Sequence, residues 1–289
     1  MKQYVVIGNG VAAVGCIEGI RSVDKDSKIT VVSEENYPVY CRPLISYYLE
    51  NKTDPERMNY RGADFYEKMG CDVFYGKKVI QINTDSKNVV LDDGAKLPYT
   101  EVCVATGSAP FVPPFEGLDT VEKKFSFMTL DDTFALEKAI NKDSNVLIVG
   151  AGLIGLKCAE GLHDRVESIT VCDLADRVLS SILDTDCATI VQRHLEANGI
   201  RFLSQGYIIS FGTVTCGIDA FKGGFHAVIH KNATVYFAAD IFDKSCICTD
   251  ANSKNERVKL YDFSAFHLSK ILIKADSGIP KQKTNTVCL

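Results

Sequence analysis

One pattern occurs twice in this chain and limits its fold more than any other feature. A short, unbroken apolar run ends in two glycines spaced one residue apart and opens into a helical stretch. In the first copy Tyr4-Val5-Val6-Ile7 leads into Gly8-Asn9-Gly10-Val11-Ala12-Ala13, a GxGxxA, followed by a helix expected over Val11 to Arg21 with Cys16 and Ile17 on its inner side. In the second, Val146-Leu147-Ile148-Val149 leads into Gly150-Ala151-Gly152-Leu153-Ile154-Gly155, a full GxGxxG. Runs of this kind read as strands buried on both faces of a parallel sheet. The first glycine permits a tight turn, the second lets backbone approach a pyrophosphate, and the small third residue lets the helix lie close to the strand. Amides at the helix N-terminus then face the phosphates. Each unit continues into a further strand with an acid at its end: Lys28 to Ser33 ends at Glu34, and Ser168 to Cys172 ends at Asp173. Both carboxylates are placed to accept from ribose hydroxyls, so the expected fold is α/β with two dinucleotide-binding units.

The acid at position 173 favours NADH over NADPH, because a 2′-phosphate would meet a like charge with Arg177 as the one basic residue at hand. The length of 289 residues agrees with about two domains. A composition of 46% hydrophobic and 24% charged residues supplies a core and argues against disorder. The longest apolar runs fall far short of the ~20 residues that cross a bilayer, so no transmembrane helix is expected. Met1-Lys2 passes straight into the first strand, which reads as cytoplasmic. Eleven cysteines are scattered with no CxxC and read as mostly reduced and buried. Cys246 and Cys248 have the wrong spacing for a zinc knuckle, and no metal is assigned. The net charge of −5 and the lack of a long Lys/Arg run weigh against nucleic acid as a partner.

Between the two glycine motifs, Thr129 can cap a helix over Asp131 to Ile140, and strands are expected at Val79 to Asn83, Lys87 to Leu91 and Glu101 to Ala105. The last strand ends in Ala105-Thr106-Gly107-Ser108-Ala109-Pro110. GxGxxA near residue 8, ATGxxP near 105 and GxGxxG near 150, in that order, resemble the FAD-dependent pyridine nucleotide-disulfide oxidoreductase family. Within it, Tyr40-Cys41-Arg42-Pro43-Leu44-Ile45-Ser46 is similar to a segment of NADH:rubredoxin and ferredoxin reductases and of the flavin module of NADH-dependent nitrite reductase. The resemblance covers roughly residues 1 to 205. It implies two Rossmann-like three-layer units, with the NAD unit inserted in the FAD unit. A first FAD part would span 1–115 and the NAD domain 116–205, with a divergent tail over 206–289.

On the FAD side the resemblance implies Gly8, Gly10, Val11, Ala12, Ala13, Glu34, Val79, Ala105, Thr106 and Gly107, with Arg42 and Pro43 beside the isoalloxazine. A fixed cation such as Arg42 near a flavin tunes its potential. Tyr40, Tyr47 and Tyr48 are candidates for ring contacts. On the NAD side it implies Gly150, Gly152, Leu153, Ile154, Gly155, Asp173 and Arg177. Lys157 stands where ferredoxin-reductase-like relatives carry Glu beside the nicotinamide; either Glu160, one turn on, is the substitute or the polar contact is lost. The implied activity is transfer of electrons from NADH through FAD to a rubredoxin- or ferredoxin-like protein or a small-molecule acceptor. Residues 1 to 162 contain no histidine, in keeping with chemistry carried by a cofactor.

Two rival readings stand beside it: a thiol-dependent NADH oxidase or disulfide reductase using Cys41, and a non-catalytic nucleotide-binding remnant. Relatives that use one cysteine place it where this chain has Pro43, so Cys41 is assigned no redox role. The tail departs most. Residues 206–289 hold ten Lys/Arg and seven Asp/Glu against 22 and 30 before them, a change of sign from −8 to +3 near Gln205. The family's C-terminal interface domain has no room in this length, which leaves the oligomeric state open. Tyr236 to Asp240 is a candidate for the second FAD segment, with Asp240 on the ribityl chain. The alternative is a tail unrelated to the family.

Overall fold

The structure is a computed structural model that describes residues 1–112, 115 and 118–203, together with the backbone of short strands between 208 and 261. Its helices in chain order are α1 (Val11–Val23), α2 (Ile45–Leu49), α3 (Phe65–Lys68), α4 (Leu130–Ala139), α5 (Leu153–Leu162) and α6 (Thr185–Ala197). The described chain forms two compact units: residues 1–37, 64–106 and 246–289 in the first, and 38–63 with 107–245 in the second. The second unit is thus nested in the sequence of the first. Residues 38–63, which fall within the expected first domain, pack in the second unit.

The first unit begins with β1 (Gln3–Ile7), β2 (Lys28–Val32) and β3 (Cys71–Phe74), followed by a meander of β4 (Val79–Asn83), β5 (Asn88–Leu91) and β6 (Lys96–Pro98), and then β7 (Glu101–Val104). β1 lies between β2 and β7 with both pairings parallel, Val5 facing Thr30 on one side and Val102 on the other. Val5 and Ile7 pack with Val89, Leu91 and Tyr99 of the meander region. Val6, which alternates with them, is fully buried too, and α1 packs on β1 through buried Val14 and Ile17. A strand covered on both faces has no place for a polar side chain, which is why its sequence is unbroken Val and Ile.

The second unit holds β8 (Lys124–Ser126), β9 (Asn145–Val149), β10 (Ser168–Cys172), β11 (Ile200–Leu203), β12 (Ile208–Gly212), β13 (Gly217–Phe221), β14 (Gly224–His230) and β15 (Thr234–Phe237). Its main sheet runs β11-β10-β9-β15-β8, all parallel. Leu147 and Cys172 form a core with Val121, against which Phe115, Leu118 and Leu203 pack. β12, β14 and β13 form a separate three-stranded sheet. Two last strands, β16 (Cys246–Thr249) and β17 (Leu260–Tyr261), extend the first sheet beyond β7. Among the described residues no helix is long and apolar enough to cross a membrane.

Two candidate dinucleotide sites

The turn from β1 into α1 is closed by backbone. Gly8 has φ +106° and its amide donates to Val32 O at 2.8 Å, while the Ala105 amide donates to Ile7 O at 2.7 Å. A Cβ on Gly8 would lie 2.1 Å from the Ala105 carbonyl oxygen. The glycine motif and the Ala105-Thr106-Gly107 segment, far apart in sequence, are therefore in direct contact, and only glycine fits between them. At Gly10, by contrast, a Cβ would meet nothing within 4 Å. Gly10 is the N-cap of α1, with no side chain capping the helix and no acid in its first turn. Val11 and Ala12 lie in that first turn, and Ala13 is fully buried. Glu34 is largely exposed and paired with Lys78 Nζ at 2.9 Å, next to Val79 at the start of β4.

The second site repeats the geometry. Gly150 has φ +110° and its amide donates to Cys172 O at 2.8 Å. Gly152 is the N-cap of α5, again uncapped by any side chain and with no acid in the first turn. Leu153 is exposed there, Ile154 half-buried and Gly155 buried. Asp173 braces the loop: its Oδ2 accepts from the Ala151 amide at 2.6 Å and its Oδ1 from the Ala175 amide at 2.8 Å. Arg177 is held within its own loop by Asp176 at 2.8 Å and by the Leu183 carbonyl. Glu160 pairs with Lys157, whose Nζ also sits 4.6 Å from the centre of the Tyr47 ring.

The glycine helices differ in this respect from α4 and α6, whereas the short α2 and α3 also start without a side-chain cap. α4 is closed by a capping box in which Thr129 Oγ1 accepts from Asp132 N at 3.0 Å, as the sequence pattern indicates, and α6 by Asp184, which accepts from Cys187 N at 2.8 Å. Amides of a helix's first turn have no partner within the helix, so a terminus without a side-chain cap is available to an anion.

The segment around Arg42 belongs to the second unit. Arg42 Nη1 donates to Tyr40 Oη at 3.1 Å and to Met128 O at 3.0 Å, and its guanidinium lies 5.2 Å from the Tyr40 ring centre. The buried Tyr40 hydroxyl accepts in addition from the Leu130 amide at 3.0 Å. Pro43 is exposed and Cys41 half-buried. Tyr48 donates to Glu137 Oε2 at 2.9 Å, and Glu137 Oε1 holds Arg165 at 2.6 Å. Burial pushes the Cys71 thiol up to about 11 and the Cys172 thiol to about 12, and raises Cys158 as well, so these sulfurs stay protonated at neutral pH. No group of three or more His, Cys, Asp or Glu among the described residues is arranged to hold a metal ion.

Asp240 lies outside the described residues. The strand that leads to it, β15, is paired with β9 and β8 in the second sheet. The tail strand in the first sheet is β16 instead, antiparallel to β7. Sequence reading missed Asn9, the variable residue between Gly8 and Gly10. Its Nδ2 donates to Tyr37 O at 3.1 Å, and its Oδ1 accepts from Tyr66 Oη at 2.5 Å.

A family model described as pyridine nucleotide-disulphide oxidoreductase matches residues 2–211. An NAD(P)H nitrite reductase of Bacillus subtilis (strain 168) is 34% identical over 205 residues, covering 71% of this chain and 25% of that protein. The assimilatory nitrate reductase electron transfer subunit of the same organism is 31% identical over 215 residues, covering 74% of this chain and 28% of the relative. This chain thus spans about a quarter of the length of these two relatives. The crystal structure of NADH:rubredoxin oxidoreductase from Clostridium acetobutylicum superposes with a TM-score of 0.63 over 82% of this chain and 58% of that one, at 17% identity. With two glycine-turn units in one chain and a match over most of its length, this chain belongs to the pyridine nucleotide-disulphide oxidoreductase family, whose members use FAD and NAD(P)H.

Proposed function

We propose that the chain is an NADH-dependent flavoprotein that passes electrons from NADH through FAD to a small rubredoxin- or ferredoxin-like protein or another acceptor. The observation that carries this reading is the pair of uncapped helix N-termini at the two glycine turns, in a chain that caps α4 and α6 with side chains. The first site suits FAD, since Gly10 leaves open backbone beside free helix amides and Glu34 offers a carboxylate for a ribose. When bound, FAD accepts a hydride from NADH and releases the electrons onward. The chain's own residues supply position and field. The amides of Val11, Ala12 and Ala13 neutralise pyrophosphate charge, and the Ala105-Thr106-Gly107 segment supports the turn from behind. Arg42, which the family resemblance links to the flavin, is a permanent cation of the second unit fixed by Tyr40 and the Met128 carbonyl.

At the second site Gly152 to Gly155 receive the NADH pyrophosphate. Asp173 keeps the loop shut and presents negative charge where a 2′-phosphate would come, which favours NADH. Arg177 is engaged by Asp176 and its own loop, which removes the one cation available for NADPH. Glu160, tied to Lys157, offers the polar contact for the nicotinamide. We assign the first unit to FAD and the second to NADH, and place the protein in the cytoplasm, where the free thiols of the described cysteines stay reduced.

The test is the colour of the purified protein and its response to coenzyme without oxygen. The expected result is a yellow protein bleached by NADH, and more slowly by NADPH. A colourless chain that takes up no added FAD would overturn the flavoprotein reading and leave a nucleotide-binding remnant.

A further inference from the structure

We infer that Tyr66, acting through Asn9, holds the first glycine loop in the shape that receives a dinucleotide pyrophosphate, with Tyr75 orienting the Tyr66 hydroxyl. This rests on the assignment of FAD to that loop, and it makes Tyr66 a positioning residue outside the glycine motif. The Tyr37 carbonyl can only accept. Asn9 must therefore turn its Nδ2 toward Tyr37 O, at 3.1 Å, which leaves Oδ1 facing Tyr66. An amide oxygen only accepts, so Tyr66 Oη must donate, at 2.5 Å. Its hydroxyl proton is then committed, and its remaining capacity is to accept.

Tyr75 completes the chain. Its ring meets that of Tyr66 edge to face, with centres 6.4 Å apart. The Tyr75 hydroxyl is pushed up to about 12, chiefly by burial and further by the neighbouring Tyr66 to which it hydrogen-bonds, so it stays a donor through the whole working range. The donors run in one direction, from Tyr75 to Tyr66 to Asn9 to the Tyr37 carbonyl. Asn9 sits between Gly8 and Gly10, in the turn that the Gly8 amide ties to Val32 O, and Tyr37 lies just beyond Glu34. The amide of Asn9 is thus a strut between the loop that faces phosphate and the loop that carries the ribose acid.

The experiment is FAD affinity, measured by flavin fluorescence on reconstitution of the apo full-length chain, for wild type, Tyr66→Phe, Asn9→Ala and the double variant. Tyr66→Phe keeps the ring and its edge contacts with Phe65 and Tyr75 and removes the hydroxyl, with its bond to Asn9 and the one it accepts from Tyr75. The expected result is FAD affinity weakened about tenfold by either single change, the size of one hydrogen bond, and no further in the double variant. NADH affinity and the thermal unfolding of apo Tyr66→Phe should stay as in wild type. If Asn9→Ala does not fold, Tyr66→Phe decides alone. Wild-type affinity in Tyr66→Phe, or effects that add in the double variant, would overturn this inference while leaving the FAD assignment in place. A wild-type chain that binds no FAD would overturn both.

Discussion

Gly8 and Gly10 look interchangeable in a motif, yet their surroundings divide them into different tasks. Gly8→Ala brings a methyl to 2.1 Å from Ala105 O at φ +106°, and should cost on the order of 3 kcal/mol or more, read as a loss of thermal stability in the apo chain. Gly10→Ala meets nothing within 4 Å at φ −96°. It should change stability by less than about 1 kcal/mol and still weaken FAD about tenfold, because the methyl stands where phosphate approaches the backbone. At the second site, Asp173→Asn keeps an acceptor for the Ala151 amide while removing the charge. The preference for NADH over NADPH in anaerobic reduction should then shrink by roughly fivefold, ~1 kcal/mol. An unchanged preference would show that Asp173 serves the loop and not the coenzyme. For Cys41 the expectation is neutrality: Cys41→Ser should reduce an artificial one-electron acceptor within about threefold of wild type. A hundredfold loss, ~2.7 kcal/mol, would favour thiol chemistry.

Between elements, the connections carry much of the order. The turn from α1 to β2 is built around Asp24, whose Oδ1 accepts from the amides of Ser27 at 3.0 Å and Asp26 at 3.2 Å, while Tyr4 donates to Oδ2 at 3.2 Å. These bonds, those from Ser27 first, hold the Asp24 carboxyl down to about 2 from an ordinary 3.8. A carboxyl depressed in the folded state stabilises that state above its unfolded value, and the contribution disappears as pH falls from about 4 toward 2. Asp24→Asn should therefore flatten the acid limb of the stability curve in that window relative to wild type, measured by denaturant unfolding across pH, with the two profiles parallel above pH 5. Elsewhere α2, α4 and the end of α5 are joined by Tyr48, Glu137 and Arg165, and α5 approaches α2 closely enough that a Cβ on Gly161 would come within 3.0 Å of Ser46 O. The small residue there has a packing cause that no local pattern displays.

For the whole chain, the tail has a structural task that its altered composition hides. β15 lies between β9 and β8, so it closes the sheet on which Gly150 to Gly155 stand, and β8 has no other partner in that sheet. A chain ending at Leu203 should lose about 10 °C or more in the unfolding of the second unit and bind NADH more weakly, because β9 becomes an edge and β8 is released. Tyr236→Pro tests the same point without shortening the chain, since proline in a central strand removes a ladder bond where Tyr236 faces Ile148 and Phe125. Unaltered NADH affinity in both would separate the tail from the coenzyme site.

The sequence by itself determined what depends on neighbours along the chain. Unbroken Val and Ile runs can only be strands covered on both faces, glycine pairs can only be turns that backbone crosses closely, and Thr129 three residues before Asp132 closes a helix start. That was enough to read both glycine turns, the strand from Ser168 to Cys172, and the family. Contacts between distant segments were decided by the tertiary structure: Gly8 against Ala105, Tyr66 on Asn9, residues 38–63 joined to the second unit, and β15 between β9 and β8. Which strand lies beside which is set by how apolar faces and backbone donors are satisfied once loops of very different length have closed. Closure entropy grows only slowly with loop length, so spacing along the chain carries little information about such pairings.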